Sequence, residues 1–337
     1  MKSDIHWMPA RITACHDLTP TVREFEITPE SGIAAGHEPG AHMQVQVQVL
    51  VGEPGAGRVQ TRSYSVVGAP DGRAWRIAVK RLDDGRGGSL AMWRLSVGDR
   101  LLVSEPQSHF GLDLTAPGYL IVAGGIGVTP LVYMAQRLGA LAAETGIGVR
   151  MLYGARSQEE LAYLPQLQEA LARGGSRSSV QAHVGSTPID FASEIAALPP
   201  AAQLYTCGPV PMLEALKHAW AAAGRPQADL RFETFGSSGR LPAQAFEVRI
   251  PRHHLSLTVP AGSTLLEALE GAGVQTLWDC RRGECGLCAM DVLAIDGEID
   301  HRDVFLSEHE KKANTRICAC VSRAVGTLTL DSAWREG

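Results

Sequence analysis

The sequence predicts a multidomain protein made of an antiparallel β-barrel, an α/β domain with a doubly wound parallel sheet, and a smaller α+β domain. Three observations support this prediction. Short segments that alternate apolar and polar residues fill the first third of the chain. Strand-like and helix-like segments then alternate up to about residue 236. A Gly- and Ser-rich stretch finally separates these regions from a cysteine-rich one, and 337 residues suffice for two or three domains.

Residues 1–113 are predicted to form the barrel. Alternation with period two is clear over Thr21–Ile27 and His42–Val49, as expected for strands with one buried face. Three more segments continue the pattern between Gly and Pro residues: Tyr64–Val67, Trp75–Lys80 and Arg100–Val103. Short strands at this spacing predict a barrel or a sandwich.

Residues 115–236 are predicted to form the parallel sheet. Five short apolar runs are interpreted as buried strands with helices between them: Tyr119–Ala123, Val149–Tyr153, Val180–Val184, Gln203–Thr206 and Leu230–Glu233. Strands that alternate with helices in this way form doubly wound sheets, which bind nucleotides beyond the carboxyl ends of the strands.

The third domain is predicted over residues 245–337, after a linker at residues 237–244. The composition of Gly236–Ala243 is that of a flexible linker. A hairpin is expected over Phe246–Pro251 and Leu255–Val259, followed by a helix over Thr264–Gly271. A cysteine loop and the final strands complete this small α+β domain.

Composition and charge exclude several classes of protein. A hydrophobic fraction of 45% with 20% charged residues is that of an ordinary globular protein. The net charge of −5 argues against a nucleic-acid partner, and no apolar run approaches the roughly 20 residues of a membrane span. The first residues lack the apolar core of a signal peptide. We therefore expect a cytoplasmic protein that neither spans a membrane nor binds nucleic acid.

The most specific motif is the spacing of cysteines Cys280, Cys285 and Cys288, with Cys318 or Cys320 farther on. C-x4-C-x2-C…C is the plant-type spacing of the four thiolates that hold a [2Fe–2S] cluster. Zinc prefers paired C-x2-C knuckles, and an odd total of seven cysteines fits a disulfide framework poorly. If residues 316–324 form a strand, Cys318 and Cys320 share one face, so periodicity does not choose the fourth ligand.

A nicotinamide site is predicted at the glycines that follow the first parallel strand. Gly124, Gly125 and Gly127 precede Val128, Thr129 and Pro130, with Thr129 as the expected N-cap and Pro130 at the first helical position. A helix N-terminus at the carboxyl end of a parallel strand favours a phosphate. Cys207, Gly208 and Pro209 follow another predicted strand and would lie at the same sheet edge. Taken alone, Cys207 would be an inert buried thiol.

A flavin site is predicted on Arg62, Ser63, Tyr64 and Ser65. The Arg62 guanidinium can pair with a phosphate, Tyr64 can cover a ring system, and Ser65 can hydrogen-bond the edge of an isoalloxazine. The Gly-rich run Gly85–Ser89, with Gly87, Gly88 and Ser89, precedes a helical turn and can bind a phosphate through backbone N–H groups. Each motif alone also fits plain packing or a surface turn.

In this order, the Arg-x-Tyr-Ser, Gly-Gly-Ser, Gly-Gly-x-Gly-x-Thr-Pro and Cys-Gly-Pro motifs resemble those of the ferredoxin-NADP reductase superfamily. With a plant-type ferredoxin segment at the C-terminus, the whole chain resembles the phthalate dioxygenase reductase and vanillate O-demethylase reductase family. The resemblance implies a flavin barrel, an NAD domain and a β-grasp ferredoxin domain. It implies FMN, with Lys80 also among the cofactor-binding residues. It further implies Cys320 as the fourth cluster ligand and Phe235 as the aromatic residue that covers the flavin.

The function implied by this resemblance is electron transfer from NADH through FMN and a [2Fe–2S] cluster to a Rieske-type terminal oxygenase, with Ser65, Cys207 and Phe235 at the reacting groups. Arg156 follows the second parallel strand, where it could meet a 2′-phosphate, and NADH is predicted over NADPH. A monomer is expected. Two alternatives stay open: a reductase of the same build for a different monooxygenase, and a redox sensor without turnover.

Overall fold

The computed structural model describes residues 5–50, 57–83, 87–235 and 239–332. The chain separates into two compact units: Ile5–Glu233 form one, and the residues from Thr234 onward form the other. Among the described residues, no helix is both long enough and apolar enough to cross a membrane.

The first unit begins with a closed antiparallel barrel. Its strands are β1 (Trp7–Thr19), β2 (Val22–Pro29), β3 (Ala41–Leu50), β4 (Gly57–Ser65), β5 (Trp75–Lys80), β6 (Arg100–Ser104) and the short β7 (Gln107–Ser108), with helix α1 (Gly88–Trp93) after β5. The six main strands follow the order β4-β3-β6-β1-β2-β5, and β7 pairs with β3. An isolated antiparallel bridge between Val66 and Ile77 joins the two ends of this order, so the sheet closes on itself.

Period-two burial explains most of the barrel. In β2 the residues Phe25 and Ile27, two positions apart, are buried, and Trp75 and Ile77 of the neighbouring β5 join them in the barrel core. Strand β1 was not predicted, because register shifts between Ile12 and Ala14 and between Asp17 and Thr19 interrupt its alternation.

The second part of this unit is a five-stranded parallel sheet. It consists of β8 (Gly118–Gly124), β9 (Gly148–Ala155), β10 (Ser178–Val184), β11 (Gln203–Cys207) and β12 (Leu230–Glu233), in the order β10-β9-β8-β11-β12. The connecting helices are α2 (Thr129–Thr145), α3 (Leu164–Ala172), α4 (Phe191–Ala196) and α5 (Val210–Ala222). The order reverses beside β8, which confirms the doubly wound prediction and brings the carboxyl ends of β8 and β11 together.

One predicted strand differs in its environment. Val180–Val184 was expected to be a buried strand, but β10 is the edge strand of the sheet. Of its seven residues only Ser178 is buried, and Val184 is 44% exposed. The prediction of burial was wrong because short apolar runs look alike at the centre and at the edge of a sheet.

The second unit contains a five-stranded mixed sheet packed on two short helices. Its elements are β13 (Phe246–Ile250), β14 (Leu255–Val259), α6 (Leu265–Gly271), β15 (Ala289–Asp300), α7 (Glu308–Ala313), β16 (Arg316–Cys318) and β17 (Arg323–Leu330), and the strand order is β14-β13-β17-β15-β16. The predicted hairpin and helix are confirmed. Thr264 caps α6 through a capping box with Glu267, which satisfies backbone N–H groups that the helix cannot pair.

The predicted linker is fixed to the second unit over its described part; residues 236–238 lie outside the described residues. The backbone N–H groups of Arg240 and Leu241 donate to the Asp300 carboxylate at 2.9 and 3.4 Å. Arg302, which forms an ion pair with Asp300 at 2.7 Å, donates to the Leu241 carbonyl. Residues 239–241 therefore lie at an edge of the second unit, held by contacts that a linker composition does not reveal.

Candidate cofactor and cluster sites

The glycines predicted to bind the nicotinamide cofactor lie at the carboxyl edge of the parallel sheet. A Cβ on Gly127 would clash with the carbonyl of Cys207, and a Cβ on Gly124 would lie 2.6 Å from Pro209 Cδ. Glycine is therefore required so that the loops after β8 and β11 can pack backbone against backbone. Gly125 differs, because it has φ +52° and nothing within 4 Å of its Cβ position. It leaves open space where a cofactor phosphate can approach.

The helix start differs from the prediction in one detail. A short 3₁₀ turn (Gly125–Val128) follows β8, and the α-helix begins at Thr129 with Val128 as N-cap. Thr129 was predicted as the N-cap, but it has helical backbone angles and its hydroxyl donates to the Ile126 carbonyl at 3.0 Å. Pro130 is the second residue of the helix, one position later than predicted. The 3₁₀ turn begins at Gly125, whose positive φ the motif alone does not reveal.

Cys207 is the last residue of β11 and is 1% exposed. Its neighbour Gly208 touches the Gly124 backbone, since a Cβ there would lie 3.0 Å from both Gly124 Cα and N. Pro209 is the N-cap residue of α5. The structure thus brings Cys207–Pro209 and Gly124–Val128 together, as predicted from the positions of both motifs after parallel strands.

Arg156 lies just after β9 and is exposed. It is on the same sheet edge as the glycine loops, since β8 and β9 are parallel neighbours. Its proposed contact with a cofactor phosphate stays a prediction.

The predicted flavin residues lie at the end of β4. Ser65 is buried, and its hydroxyl has no hydrogen-bond partner among the described residues. An unpaired buried hydroxyl is costly unless a ligand satisfies it, which fits a flavin edge at this position. Tyr64 is partly buried against the barrel core, and burial raises its pKa. Ser63 lies between these residues and Arg62, opposite Gln44 of β3.

The glycine-rich run fits a phosphate beside Arg62. Gly87 has φ +81° and is the N-cap residue of α1, while a Cβ on Gly88 would lie 2.5 Å from Arg62 Nε. The Arg62 side chain therefore packs directly on this run, and its guanidinium can neutralise a bound phosphate. Ser89 is used differently, since its hydroxyl exchanges hydrogen bonds with the backbone of Leu82. Gly85 and Arg86 lie outside the described residues.

Lys80 lies at the end of β5, where it contacts the α/β domain. Its ammonium is 3.3 Å from the Glu160 carboxylate, which also accepts a hydrogen bond from Thr21 Oγ1 at 2.5 Å. The structure thus shows an ion pair for a side chain that was predicted to bind the cofactor.

The cysteine loop has the geometry expected of a cluster-binding loop. The N–H groups of Arg282 and Cys285 point at Cys280 Sγ, at 3.4 and 3.5 Å. Gly286 has φ +73°, and a side chain there would clash with the ring of Phe305. The loop therefore packs closely at Gly286, where there is no room for a side chain.

The two candidate fourth ligands differ in their local structure, and the assignment of Cys320 stays a prediction. Strand β16 ends at Cys318, and the Cys318 carbonyl accepts from Ser322 N at 3.0 Å. Cys320 therefore stands within the turn. Its thiol hydrogen-bonds the sulfurs of both Cys280 and Cys288, whereas Cys318 reaches only Cys288.

These hydrogen bonds set the charges of the thiols. Hydrogen bonds from Cys320 and from backbone N–H groups lower the pKa of Cys280, and those from Cys318 and Cys320 lower the pKa of Cys288. Among the described residues no three His, Cys, Asp or Glu side chains surround a single ion. A [2Fe–2S] cluster needs no such group, because each iron takes two of the four thiolates. Four cysteine thiols, of which Cys280, Cys288 and Cys320 are buried and Cys285 is exposed, are the donor type that fits the cluster.

Thr234 and Glu284 connect the start of the second unit with the cysteine loop. Phe235 is 45% exposed, which suits an aromatic residue that covers a ring, although that role stays a proposal. Its neighbour Thr234 donates its backbone N–H to Glu284 at 2.5 Å. Glu284 also lies 3.4 Å from Arg282, and burial raises its pKa. The sequence analysis missed Glu284, because a Glu between Cys280 and Cys285 carries no signal of a partner 50 residues away.

Comparison with known proteins agrees with this geometry. Residues 121–218 match the oxidoreductase NAD-binding domain, and residues 249–325 match the 2Fe-2S iron-sulfur cluster binding domain. The phenoxybenzoate dioxygenase subunit beta of Ectopseudomonas oleovorans is 37% identical, over 88% of both chains. The heme-dependent oxidative N-demethylase beta subunit of Ectopseudomonas mendocina (strain ymp) is 33% identical, over 96% of this chain and 98% of its own.

A solved structure has a similar architecture. It is described as phthalate dioxygenase reductase, a modular structure for electron transfer from pyridine nucleotides to [2Fe-2S]. It matches with a TM-score of 0.77 and 32% identity, over 96% of this chain and 98% of its own.

A barrel with a flavin edge, a nicotinamide-binding sheet and a four-thiolate loop define an NADH-dependent iron–sulfur flavoprotein reductase. Its cofactors are NADH, FMN and a [2Fe–2S] cluster. The chain belongs to the phthalate dioxygenase reductase family.

Proposed function

We propose that this reductase passes electrons to a Rieske-type terminal oxygenase. The observation that carries the proposal is the coexistence in one chain of a nicotinamide edge, an FMN edge and a four-thiolate loop. NADH releases two electrons as a hydride whereas an oxygenase accepts them singly, and bound FMN and the cluster supply that conversion.

The protein residues bind and orient these groups. We propose that Gly124–Pro130 and Cys207–Pro209 hold NADH and that Arg62–Ser65 with Gly87–Ser89 hold FMN. Ser65, with its buried unpaired hydroxyl, would hydrogen-bond the flavin edge. Cys280, Cys285, Cys288 and Cys320 would hold the cluster. The backbone N–H groups aimed at Cys280 would stabilise its negative charge and tune the potential.

The proposed function and its alternative differ in the protein that accepts the electrons. The relatives include both a dioxygenase subunit and a subunit of a heme-dependent demethylase, so a haem acceptor is the second candidate. The segment from residue 245 onward carries 14 Asp and Glu against 10 Lys and Arg, so a basic docking face on the acceptor is expected.

The test is a reconstituted electron-transfer assay. Purified protein should contain one flavin and two irons per chain, and acid should release FMN. NADH should drive rapid cytochrome c reduction, and titration without turnover would point to the redox sensor. Rieske and haem oxygenases offered in parallel, each with its substrate, should give coupled product formation only with the Rieske enzyme.

We further propose the cellular compartment, the domain boundaries and the oligomeric state of this reductase. Among the described residues no cysteine forms a disulfide, which suits a reducing cytoplasm. We propose three domains at residues 1–113, 115–236 and 245–337, and a monomer that size-exclusion chromatography can test.

A further inference from the structure

The contact between the barrel and the α/β domain contains a polar cluster that the proposed function does not use. The cluster consists of Thr21, Glu24 and Lys80 on the barrel and of Glu160 and Tyr163 on the α/β domain. Glu160 accepts from Thr21 Oγ1 at 2.5 Å and lies 3.3 Å from Lys80 Nζ. The Tyr163 hydroxyl donates to Glu24 at 2.6 Å.

The barrel side of this cluster is one compact surface. Val22 and Lys80 are directly paired across β2 and β5, and Glu24 pairs with Ala78 two positions farther along the same strands. Thr21 directly precedes β2. A single carboxylate, that of Glu160, therefore holds the ends of two neighbouring barrel strands.

The other side of the cluster belongs to the nucleotide-binding edge of the sheet. Glu160 ends a short 3₁₀ turn (Gln158–Glu160) that follows β9, the strand beside β8 with its glycine loop. Tyr153 links β9 to this glycine loop, since its hydroxyl donates to the carbonyl of Gly125 at 3.3 Å. The cluster thus connects the barrel with the edge where we place NADH.

Backbone strain and burial mark this contact as a constrained one. Tyr163 has φ +62°, a left-handed conformation that costs a bulky residue energy and persists only where the surroundings enforce it. Its side chain is 7% exposed and packs in one apolar cluster with Val22, Val67 and Ala78 of the barrel. Burial and the Glu24 carboxylate raise the pKa of Tyr163, so its hydroxyl stays a donor.

We infer that Glu160 is a positioning residue for hydride transfer, with Lys80 and Thr21 as its barrel partners. The Glu160–Lys80 ion pair sets the separation between the nicotinamide edge and the flavin edge. The hydrogen bond from Tyr163 to Glu24 is a second contact that holds the two domains together. Lys80 then acts through this ion pair and not through the FMN phosphate. The inference depends on the proposed NADH-to-FMN reaction, whose rate a misplacement of about 1 Å can lower up to roughly a hundredfold.

The experiment is single-turnover reduction of bound FMN by NADH in the full-length holoprotein, followed by flavin absorbance. Glu160→Gln should lower the limiting rate about tenfold while FMN content and the dissociation constant for NADH stay within twofold. A larger deuterium isotope effect with 4-deuterated NADH should accompany the slower rate. The matched control is Glu159→Gln. The Glu159 carboxylate is exposed and accepts a local hydrogen bond from Ser157 Oγ at 3.3 Å, so this variant should react like the wild type.

A charge swap tests the pair itself. Glu160→Lys alone should be slow, and Lys80→Glu combined with Glu160→Lys should recover most of the rate. If Glu160→Lys does not fold, Tyr163→Phe supplies the second variant, with a smaller reduction in rate and unchanged FMN content.

Two results would overturn the inference: a wild-type rate in Glu160→Gln, or loss of FMN from Lys80→Gln with full retention in Glu160→Gln. The latter result would return Lys80 to the cofactor site. A wild-type protein without FMN or without NADH-dependent reduction would instead refute the proposed function, so the two failures are distinguishable.

Discussion

Cys318 and Cys320 are two positions apart, yet only Cys320 contacts thiols on both sides of the cysteine loop. We predict that Cys320→Ser loses or strongly distorts the cluster, because an alkoxide replaces a thiolate poorly on iron. Cys318→Ser should keep it, since Cys318 is a small buried residue of the ferredoxin core. Visible absorption and iron content measure both outcomes. The opposite pattern would assign the fourth ligand to the end of β16.

Asp113 leads to a prediction about how the stability of the fold depends on pH. Hydrogen bonds from Thr115 and Gln203 lower the pKa of Asp113 to about 2. Because the folded pKa lies below the unfolded one, the stabilisation is complete above about pH 4 and disappears as the pH falls towards 2. The unfolding temperature of Asp113→Asn, followed by near-ultraviolet circular dichroism, should therefore be lower than that of the wild type at pH 6. The difference should shrink towards pH 2.5, and a constant difference would contradict this assignment.

At the scale of elements, Asp300 and Arg302 hold the segment before β13 in place. Their side chains are 1% and 8% exposed, so removal of one partner leaves a buried charge. We predict that Arg302→Met destabilises the second unit by about 3–5 kcal/mol. Loss of cluster absorbance during heating measures this change. The matched control is Arg240→Met, which removes an exposed pair with Glu298 and should cost well under about 1 kcal/mol.

Local signals explain which elements could be predicted. Thr264 with Glu267 three residues later predicts a helix start, and both hydrogen bonds of the capping box are present. The partners of Glu160 are 139 and 80 residues away in sequence, so no local pattern could identify it. Strand β1 was not predicted because its bulges interrupt the alternation of apolar and polar residues. The turn at Cys320 was not predicted because it contains no Gly or Pro. The motifs therefore located the sites, and only the fold located the residues that orient them.

The division of the whole molecule yields a prediction about the path of electrons. Ile5–Glu233 form a compact unit with their own cores. A chain that ends at Ser238 should retain FMN and reduce ferricyanide with NADH, because the proposed NADH and FMN sites lie in that unit. It should fail to support the oxygenase, because the four proposed cluster ligands lie beyond residue 238. Full oxygenase coupling in this shortened chain would show that the ferredoxin unit is not the exit for electrons.

Salt dependence tests the role of the acidic C-terminal segment. Oxygenase coupling of the full chain should weaken as ionic strength rises, since the screening length falls to about 8 Å at physiological salt. Ferricyanide reduction should change less, because it needs no protein partner. Equal salt dependence of both reactions would argue against electrostatic docking by this segment.

The anchored segment before β13 also decides where this chain can be recombined with its relatives. A crossover after Ala243 would give the incoming ferredoxin a foreign stretch in place of the backbone groups that Asp300 and Arg302 bind. A crossover between Glu233 and Thr234 keeps those groups together, and it also keeps the hydrogen bond from Thr234 to Glu284. Chimeric reductases joined at Glu233 should therefore inherit an intact iron–sulfur module, whereas those joined ten residues later inherit one without its support.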